Sequence, residues 1–261
     1  MIECPICREA DSRVLWSGPG YVLRSCNGCG LAYRESPPDP RQYDDRTYFQ
    51  EYLDKEAEFR GFFAEVVRMI QEFEHPPGRL LDVGCSVGLL LETAREAGWS
   101  VVGTDVSPWA VEYTRSRGFE AHLGVVQDLR LAPASFDVVV LNHVIEHVPD
   151  PAGVLQACRR VLKPDGVLFL GLPNFGSVMA QIEREQWPAL QPDEHIWQFS
   201  RRTLTRLLRQ NGFVPRKWET GLQPRNYTRG LKDLVKRPLY RAATCLNGGE
   251  VMNVVATVAP S

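Results

Sequence analysis

An acidic residue and two glycines stand together in the stretch 78–94, GRLLDVGCSVGLLLETA, where apolar residues lead to Asp82 and then to Gly84 and Gly88. Glycines in such a turn let the backbone approach a ligand, and the helix that follows points its amide end at the same place. A dinucleotide-binding turn has the spacing G-x-G-x-x-G, whereas this one has G-x-x-x-G after a carboxylate that would repel a pyrophosphate. The turn is therefore typical of a nucleoside site whose ligand carries positive charge.

Two more acidic residues follow later apolar runs. Asp105 ends the run SVVGTD, 23 residues after Asp82, where a carboxylate is placed to bind both ribose hydroxyls of an adenosine. Asp128 lies in VVQDLRL, at a place suited to accept a hydrogen bond from an exocyclic amine, with Leu129 against the base. Three carboxylates around one ligand predict a cationic adenosyl group.

A parallel sheet is needed to bring these residues together. From residue 79 onward, short apolar strands alternate with helical patterns, which predicts an α/β fold with a seven-stranded, mostly parallel sheet and helices on both faces. The last strand, EVMNVVATV, follows the turn NGG and is suited to run antiparallel. The segment 173–199 is too long for an ordinary connection, so we expect it to form a lid or a substrate wall.

Four motifs in this region, LLDVGCSVG, VVGTDVS, FDVVVLNHVIEHVPDP and RRVLKPDGVLFLGLPN, together resemble those of the class I S-adenosylmethionine-dependent methyltransferases. The resemblance covers about residues 79–260. It implies a Rossmann-like fold and S-adenosyl-L-methionine as the cofactor. The residues that it implies for the methionine part, the ribose, the adenine and the lip of the fourth strand are Asp82, Gly84, Cys85, Gly88, Asp105, Val106, Asp128, Leu129 and Asn142.

Four of the seven cysteines form two pairs, Cys4 with Cys7 and Cys26 with Cys29, and this spacing is typical of a tetrahedral thiolate site for zinc. A segment of this size has too little core to fold alone, so a structural metal would stabilise it. With all four positions filled by protein, we expect no chemistry there. The domains predicted are a zinc ribbon at 1–40, a linker and helix at 41–78, and the main domain at 79–261.

Composition and charge limit the location and the partners. The chain has no apolar run long enough to span a bilayer and no secretory leader, so we expect a cytoplasmic protein. The ribbon has four arginines against five acidic residues, so nucleic acid is not the expected partner. The segment 200–241 holds 12 Lys or Arg against two acids, and LKDLVKRPLYRAATCL within 231–246 is suited to a peripheral membrane contact or to a phosphate-bearing acceptor. Solvated helix faces are the alternative.

Histidines gather where a methyl acceptor would bind. His143, Glu146 and His147 follow the fourth strand in HVIEHV, and His195 lies in the 173–199 segment. A hydroxyl acceptor must lose its proton during transfer, so His147 and His195 are both candidates for the base that takes it. Packing of His147 and Glu146 between strand and helix is the structural alternative.

The stretch HVIEHVPDP is also similar to the EHV-type motifs of quinone-pathway O-methyltransferases. In that family the corresponding Glu and His bear on acceptor binding and are suited to hold a divalent metal, although His143 here replaces an acid. Three tyrosines ahead of the main domain would close over the cofactor, and three aromatic residues would give the 173–199 segment an apolar lining. These six are Tyr43, Tyr48, Tyr52, Trp187, Trp197 and Phe199.

The sequence therefore predicts a methyltransferase for a small-molecule acceptor. Methylation at oxygen is expected, in the biosynthesis of a natural product, a sugar or a polysaccharide. Two alternatives stay open. One is an RNA base methyltransferase that uses the ribbon to bind its substrate, and the other is a regulator that binds the cofactor without turnover.

Overall fold

The computed structural model describes residues 3–39, 43, 46–221 and 248–260. The strands among these residues are β1 (Ser12–Gly18), β2 (Tyr21–Cys26), β3 (Ala32–Arg34), β4 (Arg79–Val83), β5 (Ser100–Asp105), β6 (Glu120–Leu123), β7 (Phe136–Asn142), β8 (Leu162–Pro173), β9 (Trp197–Gln198), β10 (Phe213–Gly221) and β11 (Val251–Val258). The α-helices are α1 (Arg46–Asp54), α2 (Glu56–Ile70), α3 (Leu89–Glu96), α4 (Pro108–Ser116), α5 (Pro151–Val161), α6 (Val178–Glu183) and α7 (Arg201–Gln210).

The main sheet has seven strands in the order β10-β11-β8-β7-β4-β5-β6. The neighbours β8, β7, β4, β5 and β6 pair in parallel, whereas β11 runs antiparallel to both β8 and β10. This confirms the predicted fold, including its antiparallel closing strand. Because parallel strands end at one edge, the carboxyl ends of β4, β5 and β7 bring Asp82, Asp105 and Asn142 to the same side of the sheet.

Both faces of the sheet are covered by helices. Successive strand residues point to opposite faces, so Leu80 joins one apolar cluster and Leu81 the other. On one face this cluster contains residues of α2, α3 and α4, and on the other face residues of α5 and α7. The near-continuous apolar runs of β4, β7 and β8 follow from burial on both sides.

Two of the connecting helices begin with side-chain caps at the carboxyl edge. The Ser107 hydroxyl accepts a hydrogen bond from the Ala110 amide at the start of α4, and the Asp150 carboxylate accepts one from the Gly153 amide at the start of α5. Each cap is followed by a proline at the first helical position, where the missing amide costs nothing. The caps fix where the preceding loops, and the site residues in them, must lie.

The N-terminal segment forms a second, four-stranded sheet in the order β1-β2-β3-β9. Its last strand, β9, belongs to the long 173–199 segment, which also contains α6 and a 3₁₀ turn at Arg184–Gln186. The ribbon residues Cys4, Cys26 and Cys29 share an apolar cluster with α5 and α7. The ribbon is therefore packed onto the main domain. The predicted boundary at residue 40 lies outside the described residues.

The single helix predicted ahead of the main domain is divided into α1 and α2, with Lys55 between them. None of the helices in the described ranges is long and apolar enough to cross a membrane. In the described part of the basic segment, Arg201 stacks on Trp218 and Lys217 pairs with Glu72. The stretch at 231–246, for which a membrane contact was predicted, lies outside the described residues.

Candidate functional site

A cavity of about 480 Å³ lies at the carboxyl edge of the main sheet. This volume is within the usual range for a small-molecule site. Its walls come from the ends of β4, β5 and β7, from the loop after β6, from residues 143–149 and from the segment ahead of the main domain. The side chains and glycines that line it include Tyr43, Tyr48, Tyr52, Gly84, Ser86, Thr104, Asp105, Val106, Gly124, Val125, Val126, Gln127, Asn142, His143 and His147.

The turn after β4 requires its first glycine. Gly84 has a φ of +77°, and a Cβ built there would lie 2.5 Å from Val144 Cγ2. Its amide donates to the Thr104 carbonyl at 2.7 Å, which ties the turn to the neighbouring strand. Gly88, with a φ of +79°, begins α3 but does not line the cavity, and a Cβ there would lie 3.2 Å from Thr114. Gly88 therefore serves close helix packing.

Asp105 ends β5 and holds this turn in place. Its Oδ2 accepts a hydrogen bond from the Ser86 amide at 2.8 Å, and its Oδ1 accepts one from the Ser107 amide at 2.9 Å. Burial raises the pKa of the carboxyl, and the two amides offset part of that shift. The residue lines the cavity, with oxygens that have further lone pairs for a ligand's hydroxyls.

Four buried polar atoms in the cavity walls have no hydrogen-bond partner among the residues that the structure describes. They are Ser86 Oγ, Thr104 Oγ1, Gln127 Oε1 and Asn142 Oδ1. Buried polar groups are nearly always paired, so this set fits a polar ligand that supplies the missing partners. S-adenosylmethionine, with its ribose, amine and amino-acid groups, fits such a cavity. Gln127 was not identified from the sequence, because a glutamine in a loop has no distinctive spacing.

The adenine side of the cavity differs from the sequence expectation. Asp128 is exposed and neither it nor Leu129 lines the cavity. The Asp128 amide donates to the Val125 carbonyl at 3.0 Å, and this turn directs residues 124–127 to the cavity instead. Strand periodicity does not determine which residues of a short loop face a cavity. The sequence therefore did not distinguish residues 124–127 from Asp128 and Leu129.

Asp82 and Cys85 line a smaller cavity that shares Gly84, Ser86 and Asn142 with the large one. Burial, together with the nearby charge of Asp105, raises the pKa of Asp82 to about 8. Burial also raises the pKa of the Cys85 thiol well above its ordinary value. A carboxyl in this state ionises readily only when a cation approaches it.

The four residues predicted for the acceptor side lie together. The His147 Nδ1 is 3.1 Å from the Glu194 carbonyl oxygen and 3.0 Å from the Tyr43 hydroxyl. The His195 Nδ1 is 3.2 Å from the Leu190 carbonyl oxygen, and its ring meets that of His147 edge-on at 4.7 Å. His143 and His147 line the cavity, whereas Glu146 and His195 lie behind them.

Glu146 is a buried carboxylate, 1% exposed, and neither of its oxygens accepts a well-aligned hydrogen bond from the described residues. His143 Nδ1 lies 3.3 Å from Oε1 and His147 Nε2 lies 4.0 Å from it. Burial would raise the pKa of this carboxyl, but the contact with His143 and the neighbouring imidazoles of His147 and His195 lower it to about 2. Burial lowers the pKa of His195 to about 3, so this imidazole is neutral.

Three side chains on the acceptor side lie close enough together to hold a divalent cation. The ligand atoms of Glu146, His147 and His195 all lie within 4.8 Å of one another. Both imidazoles have Nδ1 against a backbone carbonyl, the arrangement that fixes a metal-binding histidine with its other nitrogen free. His143 is not part of this set. The third member of the set, His195, comes from the 173–199 segment, and the sequence motif did not predict it as a metal ligand.

The four ribbon cysteines have the geometry of a zinc site. Their sulfur atoms all lie within 4.8 Å of one another, with Cys4 to Cys29 at 3.5 Å and Cys7 to Cys26 at 3.3 Å. Tetrahedral zinc with bonds of about 2.3 Å places sulfurs about 3.8 Å apart. Within the described residues this thiolate set fits a closed, structural site.

The predicted aromatic residues fall into two groups. Tyr43, Tyr48 and Tyr52 all line the cavity, and the Tyr48 hydroxyl donates to Glu194 Oε2 at 3.3 Å. The aromatic residues of the long segment instead pack in the interior, where the Trp187 Nε1 donates to Glu250 and the Trp197 Nε1 to the Val148 carbonyl. These two and Phe199 do not line the cavity.

Comparison with known proteins agrees with this architecture. The sequence profile of a family described as a methyltransferase domain matches residues 49–217. A ubiquinone biosynthesis O-methyltransferase of Haemophilus ducreyi is 41% identical over an alignment length of 107, and the match covers 37% of this chain and 45% of that protein. The enzyme of the same name from Xanthomonas campestris is 41% identical over an alignment length of 106, and the match covers 38% of this chain and 44% of that protein. The chain spans less than half the length of these curated relatives.

Solved structures show the same fold at low sequence identity. A SAM-dependent methyltransferase from Archaeoglobus fulgidus superposes with a TM-score of 0.58 at 19% identity, over 79% of this chain and 99% of that one. Geranyl diphosphate C-methyltransferase from Streptomyces coelicolor superposes with a TM-score of 0.56 at 18% identity, over 86% of this chain and 91% of that one.

Proposed function

The chain belongs to the family of methyltransferase domains, and from this premise we propose that it transfers a methyl group from S-adenosylmethionine to a hydroxyl of a small-molecule acceptor. The names of its curated relatives support a biosynthetic O-methylation. Those names do not mention the natural-product, sugar or polysaccharide pathways that the sequence suggested. These pathways remain part of the proposal. The observation that carries the proposal is a single cavity lined both by Asp105 and by His147.

On the donor side, the residues bind and orient. Asp105 receives the ribose hydroxyls, the amide oxygen of Gln127 accepts from an amine of the adenine, and Asp82 provides negative charge near the methionine part. Methyl transfer is an in-line displacement, so alignment of donor and acceptor contributes much of the rate acceleration. The tyrosines of the N-terminal segment cover the same cavity, where aromatic faces favour a sulfonium.

On the acceptor side, His147 takes the proton. The Glu194 carbonyl can only accept, so its hydrogen bond places a proton on His147 Nδ1 and leaves the lone pair on Nε2. Nε2 accepts the hydroxyl proton as the oxygen forms the new C–O bond, the C–S bond breaks and its electron pair stays on sulfur. The ionised Glu146 stabilises the imidazolium that results.

A divalent cation, which the EHV-type motif implies, would be held by Glu146, His147 and His195. Bound there, it would supply Lewis acidity that lowers the pKa of an acceptor hydroxyl. In that state His147 is a ligand and not a base. Metal analysis of the purified protein, with and without a chelator, distinguishes the two states of His147.

The proposal is tested by following label from methyl-labelled S-adenosylmethionine into pooled hydroxylated metabolites and, separately, into RNA. We expect label in a small hydroxylated product. Label in RNA would support an RNA methyltransferase. Two ribbon arginines argue against that alternative, because Arg24 pairs with Glu35 and Arg34 contacts Asp193 instead of facing a free surface. Tight cofactor binding without transfer to any pool would support the regulator.

A further inference from the structure

The long 173–199 segment and the ribbon are one structural unit. Strand β9 extends the ribbon sheet by pairing with β3, with Tyr33 opposite Trp197 and Ala32 opposite Gln198. The Arg34 amide continues the ladder by donating to the Ile196 carbonyl at 2.8 Å. The end of the segment is therefore held by the edge of the ribbon.

The other side of the same segment holds the acceptor residues. The amides of Ile196 and Trp197 both donate to the Glu146 carbonyl, at 2.9 and 3.1 Å. The Glu194 carbonyl contacts His147 Nδ1, and the Glu194 carboxylate accepts from Tyr48. Residues 194–197 thus bridge the ribbon and the 146–147 pair.

Arg34 is the side chain that fastens this bridge. Its guanidinium donates to the Pro192 carbonyl and to the Gly20 carbonyl and lies 3.9 Å from the Asp193 carboxylate. It therefore joins the β1–β2 turn to the residues just ahead of Glu194 and His195. Its side chain is only 13% exposed.

The cysteine site fixes the strand that carries Arg34. The Gly30 amide donates to the Cys26 carbonyl and the Cys26 amide to the Leu31 carbonyl, so the second knuckle leads directly into β3. The Arg202 guanidinium of α7 donates to the Cys29 carbonyl at 2.6 Å and anchors the knuckle on the main domain. Zinc at the four thiolates would set this knuckle.

We propose that the ribbon positions the acceptor side of the site, with the four cysteines ordering β3 and with Arg34 as the positioning residue for residues 190–197. The donor side, built from β4, β5 and the turn at Gly84, has no contact of this kind with the ribbon among the hydrogen bonds of the described residues. Loss of the metal or of Arg34 then loosens the acceptor side alone. The inference rests on the proposed function only where it takes residues 143–147 and 190–197 as the side of the cavity that binds the methyl acceptor.

Hydrogen exchange of the full chain tests the proposal without any acceptor. Arg34→Met is compared with Arg13→Met, which changes an exposed arginine of the same sheet. In Arg34→Met we expect the amides of Ile196 and Trp197 to exchange at least about tenfold faster, while peptides from 79–96 keep their protection. Binding of S-adenosylhomocysteine, measured by calorimetry, should stay within about twofold of the original. Arg13→Met should change neither.

Metal removal gives a second, independent arm. Zinc content is measured by mass spectrometry before and after chelation, and exchange is followed in both states. Faster exchange confined to the ribbon and residues 187–199 supports the proposal. Unchanged exchange at 190–197 in both arms overturns it. Loss of protection throughout the chain, together with loss of cofactor binding, also overturns it, because the ribbon would then be a global element of the fold. A failure to find methyl transfer leaves these readouts unaffected.

Discussion

The most deeply buried carboxylate on the donor side of the cavity is Asp82, at 3% exposure, and on the acceptor side it is Glu146, at 1%. Burial by itself would raise the pKa of both carboxyl groups. The neighbour of Asp82 is another acid, Asp105, so its pKa rises to about 8. Glu146 is surrounded by three histidines, which hold its pKa at about 2.

This difference in pKa shows how the negative charge of each carboxylate is balanced. On the acceptor side, the surrounding imidazoles favour the ionised form of Glu146. On the donor side, no basic side chain among the described residues pairs with Asp82, so a proton stays on its carboxyl until a cationic ligand replaces it. A positively charged methyl donor is the ligand that such a side would select.

The largest expected effect is on the rate, from the substitution His147→Ala. Removing the base should lower kcat for a hydroxyl acceptor by about 10²- to 10⁴-fold, because the acceptor then keeps its proton. The affinity for S-adenosylhomocysteine should remain within about twofold, since His147 belongs to the acceptor side. His122→Ala is the control, because that histidine pairs with Glu120 and lies outside the cavity walls. An unchanged kcat in His147→Ala would remove the base from the mechanism.

The next effect is on donor affinity, from the substitution Asp105→Asn. A hydrogen bond to a charged group contributes about 1.5 to 3 kcal/mol, so the affinity for S-adenosylhomocysteine should fall by about 10- to 100-fold. The matched control is Asp128→Asn, which changes an exposed acid near the cavity and should have an effect within about twofold. Titration calorimetry measures both. A large loss in Asp128→Asn would restore the adenine contact that the sequence suggested.

Proton linkage sharpens the comparison between the two carboxylates. Without ligand, Asp82 is protonated below pH 8, and a bound cation favours its ionised form. Binding of S-adenosylmethionine should therefore release a proton below about pH 8, and the affinity should rise by at most about tenfold per pH unit up to that point. Calorimetry in two buffers of different ionisation enthalpy counts the released protons. Asp82→Asn should abolish the pH slope, while a slope that survives would assign the proton to another group.

The fold and the donor edge were predictable because their signals are local. Strand and helix periods lie within short windows, and the glycine and acid at the end of β4 are separated by one residue. Asp105 was predicted from its place at the end of an apolar run, and Asn142 from the resemblance to the methyltransferase family. Gly84 was identified from its place just after Asp82. The structure gives the physical reason for a glycine there, which is a φ of +77° close to Val144.

The acceptor wall was less predictable because it depends on contacts between distant parts of the chain. Strand β9 has two residues, too few for a period-two signal, and its partner β3 lies in the ribbon. The burial of Trp187 and Trp197 depends on hydrogen bonds to Glu250 and Val148, which no sequence pattern reveals. The same holds for the placement of His195 behind His147.

The last expected effect is on stability, and it separates the two carboxylates by pH. For Asp82, with a folded pKa of about 8 against an ordinary 3.8, the stabilising contribution is complete below pH 3.8 and is lost as the pH rises through 8. For Glu146, with a folded pKa of about 2 against an ordinary 4.5, the contribution is complete above pH 4.5 and is lost as the pH falls through 2. Between pH 6 and 8, the free energy of unfolding without ligand should therefore fall by up to about 1.4 kcal/mol per pH unit through Asp82. Thermal melts at both pH values should show a flatter profile in Asp82→Asn and a profile parallel to the original in Glu146→Gln. A change of slope in Glu146→Gln would mean that the acceptor side also takes up a proton in this range, and the contrast between the two sides would then be lost.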